Sequence, residues 1–186
     1  MTTRTARRLV LSTLVTLNGV ISEPLKWAAP YFGDGSAAAS LAALRNHSAM
    51  LMGRRTYEIF SQQWPQTPGE YAAHLNGMPK YVFSSTLRDP QWTNTEVVAG
   101  DVVDAVAALK REAGKDLIVY GHGRFGRTLT DAGLVDELSL TVVPVIVADG
   151  ETFFHPGGVA SAWELVAAGP GADPGLASLR YRPVRR

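Results

Sequence analysis

The feature that most constrains the fold is a pattern that occurs twice: a short apolar run, a glycine, then the start of a helix. It appears as MLMGRRTYEIF at residues 50–60 and as DLIVYGHGRFGRTL at residues 116–129. Continuous apolar runs bounded by glycine read as strands buried on both faces, which belong to parallel sheets covered by helices. A strand that turns through glycine into a helix also leaves free backbone N–H groups at the positive helix end. A glycine there lets an anion come close to them.

The rest of the chain alternates in the same way. Leu9 to Leu17 predicts a first strand, followed by an irregular Pro- and Gly-containing stretch. Asp34 or Ser36 then caps an Ala-rich helix through Arg45, and Ala49 to Met52 is a second strand. Arg54 to Ser61 is helical, Pro65 and Pro68 break the chain, and Gly69 to Asn76 forms a short helix. Lys80 to Ser84 and Glu96 to Ala99 supply the third and fourth strands. Asp101 caps the clearest helix, with Asp104 in its first turn and Lys110 and Arg111 near its end. Val102, Val106, Leu109 and Ala113 share one face of it, and Gly114 is placed to adopt the left-handed stop. Leu117 to Tyr120 is the fifth strand, leading to a helix that ends near Gly133.

From Asp136 onward the pattern changes. Leu138 to Val147, Trp163 to Ala168 and Leu176 to Val184 read as strands joined by Gly- and Pro-rich turns without helices between them. The expectation is a single three-layer α/β domain over residues 1–186, with a mixed, mostly parallel sheet and an antiparallel C-terminal edge.

Composition narrows the function. At 186 residues with 46% hydrophobic content, the chain can bury a sizeable core. A net charge of +1 gives no long-range attraction to nucleic acid. Arg4, Arg7 and Arg8 at one end and Arg182, Arg185 and Arg186 at the other read as solvated termini. Zero cysteines exclude disulfides, thiolate nucleophiles and Cys-based zinc sites, and suit a reducing cytoplasm. Ser12, Thr13 and Thr16 interrupt the first apolar run, so it reads as a strand and not a secretory signal. No run approaches the ~20 apolar residues of a membrane span. His47, His74, His122 and His155 stand isolated, which argues against a metal site.

The spacing Gly121, Gly123, Gly126 matches a dinucleotide-binding turn. A Rossmann unit also needs an acid at the end of the next strand, and Asp136 and Glu137 precede that strand instead. The spacing alone is therefore open to the reading of a tight strand-to-helix turn. The second turn adds Arg54, Arg55 and Thr56, and a third strand end, VFSSTL, offers Ser84, Ser85 and Thr86. Each taken singly also reads as a solvated helix start or a simple turn. Together they point to a ligand with separated phosphates, such as NADPH, which has a pyrophosphate and a 2′-phosphate.

The segments VTLNGVIS, MLMGRRTYEIF, PKYVFSSTLRDPQW, DLIVYGHGRFGRTL and GLVDELSLTVVPVIVADGETFF occur in this order over residues 15–154. In combination the chain resembles the dihydrofolate reductase-like family. The branch is that of the reductase half of the bifunctional riboflavin-biosynthesis deaminase/reductase and its stand-alone bacterial relatives. The resemblance implies a homodimer with NADPH across the strand ends and hydride transfer to a pteridine- or pyrimidine-like small molecule. It assigns Gly53, Arg54, Arg55, Thr56, Ser84, Ser85, Gly121, Gly123, Arg124 and Phe125 to the cofactor. His122 replaces a usually small residue and is either a cofactor contact or a loop histidine. The deaminase signature is absent.

The same resemblance places Asn18, Gly19, Glu23 and Trp27 at the reacting end, with Tyr57 beside them. Stand-alone relatives carry Ser-Leu-Asp-Gly where this chain reads Thr16-Leu17-Asn18-Gly19. An amide orients a substrate but does not titrate near neutral pH, so Glu23 or water has to deliver the proton. Trp27 and Tyr57 read equally as packing residues. Two functions remain: an NADPH-dependent reductase, and a non-catalytic NADP-binding protein, which Asn18 favours.

Overall fold

A computed structural model describes residues 6–184; Arg4, Arg185 and Arg186 lie outside the described residues. The strands are β1 (Leu9–Thr16), β2 (His47–Gly53), β3 (Lys80–Phe83), β4 (Thr95–Val98), β5 (Asp116–Tyr120), β6 (Glu137–Val143), β7 (Trp163–Pro170) and β8 (Ala177–Pro183). They form one eight-stranded sheet in the order β4-β3-β2-β5-β1-β6-β8-β7. Neighbours from β4 to β6 pair in parallel, and β8 runs antiparallel to both β6 and β7. The expected mixed sheet with an antiparallel edge is therefore what forms.

The helices are α1 (Pro24–Trp27), α2 (Asp34–Leu44), α3 (Arg54–Gln63), α4 (Glu70–Gly77), α5 (Val102–Arg111) and α6 (Arg124–Asp131). Successive strand residues point to opposite faces, so β2 assigns the layers. Met50 and Met52 pack with Leu44 of α2, Tyr57 of α3 and Leu75 of α4. Leu51 packs on the other face with Val106 and Leu109 of α5 and Leu129 of α6. Apolar side chains on both faces explain the unbroken hydrophobic runs in the central strands.

Helix ends show where local sequence was a sufficient guide. The Asp101 side chain accepts from Asp104 N at 2.9 Å, as a capping aspartate should. Helix α5 nevertheless stops at Arg111, with Glu112 already extended, so Ala113 is exposed and leaves the apolar face. Gly114, at φ +150°, lies two residues beyond that and is not the left-handed stop. Gly133, at φ +67°, does adopt that conformation after α6.

Neither Asp34 nor Ser36 caps α2. Gly33 holds the N-cap position, and the carboxylate comes from Asp173 in the β7–β8 turn, accepting from Gly33 N at 2.7 Å and Ser36 N at 2.8 Å. Hydrogen bonds from Ser36 and Gly33 hold the Asp173 carboxyl below its ordinary range. Strand β6 ends at Val143, because the next residue is Pro144 and the chain bends there. Val145 then accepts from Leu17 N at 2.9 Å, so the segment expected to finish the strand instead braces the turn after β1. Helix α1 and a single 3₁₀ turn over Ala29–Tyr31 occupy the stretch that read as irregular.

Lys80 is buried at the start of β3, where Nζ donates to the carbonyls of Asn76, Met78 and Thr93 at 2.8, 2.8 and 3.0 Å. The ammonium also lies 4.4 Å from the Trp92 ring centroid, and burial lowers its pKa to about 8.

Candidate functional site

Strands β2 and β5 are parallel neighbours, and each turns through glycine into a helix at its C-terminal end. The helices diverge, α3 to one face of the sheet and α6 to the other. Divergence of this kind opens a crevice outside the carboxyl ends of the strands, the usual place for a ligand in α/β sheets. The two starts abut: a Cβ added at Gly53 would lie 3.2 Å from Phe125 Cβ. Phe125 in turn stacks on Phe83 at the end of β3, with ring centroids 4.8 Å apart. Three strand ends are thus held in line.

The three glycines of the second turn serve different purposes. Gly121 takes φ +84° and donates its N–H to Ser12 O at 2.8 Å. Gly126 is a packing glycine, since a Cβ there would lie 2.8 Å from Gly121 O and 3.1 Å from Leu11 Cδ1. Gly123 is the N-cap of α6 and a Cβ on it would meet nothing within 4 Å. Its missing side chain leaves the helix start open to the crevice.

Cationic and hydroxyl groups surround this opening. Arg54 binds Glu58 Oε1 through Nε at 2.6 Å and Thr86 Oγ1 through Nη1 at 2.6 Å, which ties it to the turn carrying Ser84 and Ser85. Ser84 Oγ accepts from Thr86 N and Leu87 N at 3.2 and 3.0 Å, fixing that turn. Ser85 is exposed, and its carbonyl accepts from Arg88 Nη1 at 3.1 Å. Arg55 pairs with Glu151 at 3.1 Å, Thr56 is partly buried behind it, and Arg124 is exposed on α6.

His122 does not face the crevice. It is buried, stacked on Phe153 with centroids 4.2 Å apart, and its Nε2 lies 3.2 Å from Thr130 Oγ1. Burial first, and then the positive charge of Arg127, lower its pKa to about 4. The histidine is therefore held as a neutral packing group, which favours the loop-histidine reading over a cofactor contact. A base with a depressed folded pKa contributes stability in full above its unfolded pKa, ~6.5, and loses it as pH falls through the folded value. We expect acid titration from pH ~6.5 to ~4 to remove about 3 kcal/mol through this residue. His122→Asn should flatten that part of the stability profile measured by urea unfolding; an unaltered slope would contradict the burial assignment.

A backbone feature of the same crevice escaped the sequence reading. Strand β5 pairs with β1 only as far as Ser12↔Tyr120, while β1 continues beside β6 to Thr16. Because Gly121 N bonds to Ser12 O and strand bonding alternates, the Leu14 amide faces the side where β5 has ended. Nothing in a side-chain pattern marks such a gap.

The turn after β1 differs from its expected chemistry. Asn18 Nδ2 donates to Val147 O at 2.8 Å, and Oδ1 accepts from Thr16 Oγ1 at 2.8 Å and Val147 N at 3.3 Å. This amide clamps the turn onto the segment beyond β6. A carboxylate could not donate to Val147 O, so Asn18→Asp should destabilise the protein by about 1–2 kcal/mol in denaturant unfolding. Equal stability of the two proteins would show that the clamp is dispensable.

Gly19 follows at φ +85°, and its carbonyl accepts from Phe153 N at 2.7 Å. Glu23 is exposed in an αL conformation and pairs with Lys26 at 2.8 Å. Its bond to Lys26, with a smaller contribution from Arg55, lowers its pKa. A carboxyl so held is an anion near neutral pH, which argues against Glu23 as the proton donor. Trp27 is buried with Nε1 on Ser22 O at 2.9 Å, and Tyr57 is buried against Trp92, its OH accepting from Trp92 N at 3.3 Å. Both rings serve packing, and Tyr57 is separated from the Asn18 turn by belonging to the α3–α4 side of the core.

Two cavities lie elsewhere. One, of about 560 Å³, is bounded by Ser61, Pro65, Asn76 and Trp92; the other, of about 290 Å³, lies at the opposite strand ends around Arg8, His47, Asp116 and Glu137. At the glycine turns themselves, the structure shows Gly53 against Phe125 and unfilled space above Gly123. Among the described residues no group of three or more potential ligands could hold a metal ion. No described helix is long and apolar enough to cross a membrane.

Comparison with known proteins agrees with the fold. The family model described as the RibD C-terminal domain matches residues 7–170. YyaP, an uncharacterised protein of Bacillus subtilis (strain 168), is 29% identical over 159 residues, covering 80% of each chain. A candidate riboflavin biosynthesis protein from Shewanella sp. PV-4 superposes with a TM-score of 0.78 at 18% identity, over 96% of this chain and 99% of that one. Dihydrofolate reductase from Enterococcus faecalis, solved in complex with NADP(H), superposes with a TM-score of 0.66 at 20% identity, over 96% and 97%.

Proposed function

The chain belongs to the RibD C-terminal domain family, and from that premise we propose that it is an NADPH-dependent reductase acting on a pteridine- or pyrimidine-like small molecule. The observation that carries the reading is the abutment of two glycine-opened helix starts, Gly53 against Phe125, with open space above Gly123. Free N–H groups of α3 and α6 would share one pyrophosphate at this point. Arg54, steadied by Thr86 beside Ser84 and Ser85, is suited to a 2′-phosphate at the far end. The Leu14 amide offers one donor and one acceptor, which a carboxamide complements.

NADPH, when bound, would supply the hydride. The protein's own part is to hold the acceptor beside the β1 gap and to shape its surroundings with the Asn18–Val147 clamp. With Asn18 committed to Val147 and Glu23 held as an anion by Lys26, the proton comes from water. That same shortage of a titrating acid favours the second reading, an NADP-binding protein without turnover. The proposal includes a homodimer of single-domain chains, implied by the family resemblance, in a cytoplasm whose reducing conditions a cysteine-free chain suits.

Fluorescence titration tests the cofactor assignment. Wild-type protein should prefer NADPH to NADH, and Arg54→Ala should weaken NADPH binding by roughly 10–100-fold while leaving NADH nearly unchanged. Equal affinity for the two coenzymes in the wild type would overturn it. Following NADPH absorbance over a panel of pteridines and ribosylaminopyrimidines separates the two readings: oxidation identifies the enzyme, and binding without oxidation identifies the silent binder.

A further inference from the structure

The loop after β6 places a carboxylate among the cations of the groove. Glu151 Oε1 accepts from Arg55 Nη1 at 3.1 Å, and its Oε2 lies 3.9 Å from Arg127 Nη2. Arg55 belongs to the first turn of α3 and Arg127 to α6, so a single acidic side chain bridges the two helices whose starts frame the crevice. Its backbone is fixed independently of that bridge. Glu151 O accepts from Ile21 N at 2.8 Å, and Glu151 N donates to Ser22 Oγ at 2.9 Å. A Cβ at the preceding Gly150 would lie 2.6 Å from both Ser22 Oγ and Val20 Cγ1, so the chain is pressed against the β1 turn at this point.

We propose that Glu151 is a built-in competitor for the phosphate groups of the ligand: its carboxylate occupies the arginines that a pyrophosphate would use and must swing away before one can bind. The inference rests on the assignment of this groove to a phosphorylated ligand. Three observations on the arginines support it. The Arg127 guanidinium is anchored by Nη2 to Thr152 O at 2.9 Å, yet its buried Nε has no hydrogen-bond partner among the described residues. Arg55 is exposed and held in this position by Glu151, while its charge also acts on Glu23, whose closer partner is Lys26. An exposed pair of this kind is weak, which a displaceable contact requires. Glu151 thereby lowers affinity for every anion at the groove, and it keeps Arg55 from recruiting phosphates without a second attachment point.

The test uses inorganic pyrophosphate and NADPH as probes, titrated calorimetrically into wild type, Glu151→Gln and Glu164→Gln. Glu164 pairs with Arg182 across the β7–β8 hairpin, remote from the groove, and controls for the change in net charge. Glu151→Gln keeps an acceptor for Arg55 but removes the charge. It should bind pyrophosphate about five-fold more tightly than wild type, with Glu164→Gln unchanged. Equal affinity in wild type and Glu151→Gln, an equal gain in both variants, or no pyrophosphate binding to any of the proteins at millimolar concentration would overturn the inference. If Glu151→Gln fails to fold, carboxyl carbon NMR of the unaltered protein decides. Saturating pyrophosphate should shift the Glu151 resonance and leave that of Glu164 in place; an unmoved Glu151 signal overturns the inference. Failure here is distinguishable from failure of the cofactor reading. Tight NADPH binding that ignores Glu151→Gln removes only the competitor, whereas pyrophosphate binding enhanced by the variant without any NADPH binding removes only the cofactor.

Discussion

Gly123→Asp should yield a protein that is as stable as the wild type or slightly more so, and that has lost NADPH. The two effects have opposite signs because position 123 has two separate duties. As the N-cap of α6, with φ −67°, it adopts a conformation open to any residue, and a Cβ there meets nothing within 4 Å. Aspartate is among the best N-cap residues and should add up to about 1 kcal/mol by accepting from the first-turn N–H groups. The same carboxylate would then sit on the donors that the proposed pyrophosphate site uses, replacing attraction with repulsion. Affinity should fall at least about 100-fold, the consequence of blocking the donors and reversing the local charge together. Thermal unfolding and fluorescence titration of one preparation measure both. Retained NADPH affinity would place the ligand away from this turn.

Gly126→Val probes the neighbouring glycine and should do the reverse, acting through the fold. The Cβ it adds would lie 2.8 Å from Gly121 O, which is backbone and cannot rotate aside, and 3.1 Å from the buried Leu11 side chain. Helix α6 would have to lift from the sheet, uncovering part of the core around Leu129 and Val119. Overpacking against fixed backbone should cost about 3 kcal/mol or more in urea unfolding. A loss below roughly 0.5 kcal/mol would mean that the turn relaxes freely and that the triple-glycine spacing is not imposed by packing.

What was legible in the sequence follows the range of the forces involved. The central strands could be read because both their faces are buried, which writes continuous apolar runs into the chain: Met50 to Met52 and Leu117 to Val119 point alternately to two cores. The Asp101 cap was legible because its partner, Asp104, is three residues away. The cap of α2 was not, because Asp173 arrives from a hairpin 137 residues later in the chain than Ser36. Asn18 illustrates the same limit at the candidate site. Its departure from the relatives' aspartate was visible, but its reason, Val147, lies 129 residues away. The groove's glycines and arginines announced themselves through local turn chemistry, whereas the Leu14 gap arises only from two strands of unequal length lying side by side. His122 was ambiguous for the opposite reason, since a turn motif says nothing about which ring will stack beneath it.

The central claim is that the turns at Gly53 and Gly123 are two halves of one binding groove. A crystal structure of the protein grown with NADPH tests it most directly. One continuous coenzyme should be seen spanning both turns, with its pyrophosphate between Gly53 to Thr56 and Gly121 to Arg124. A coenzyme in contact with only one of these turns, or bound in the cavity beside Trp92 or the one beside Asp116, would contradict it.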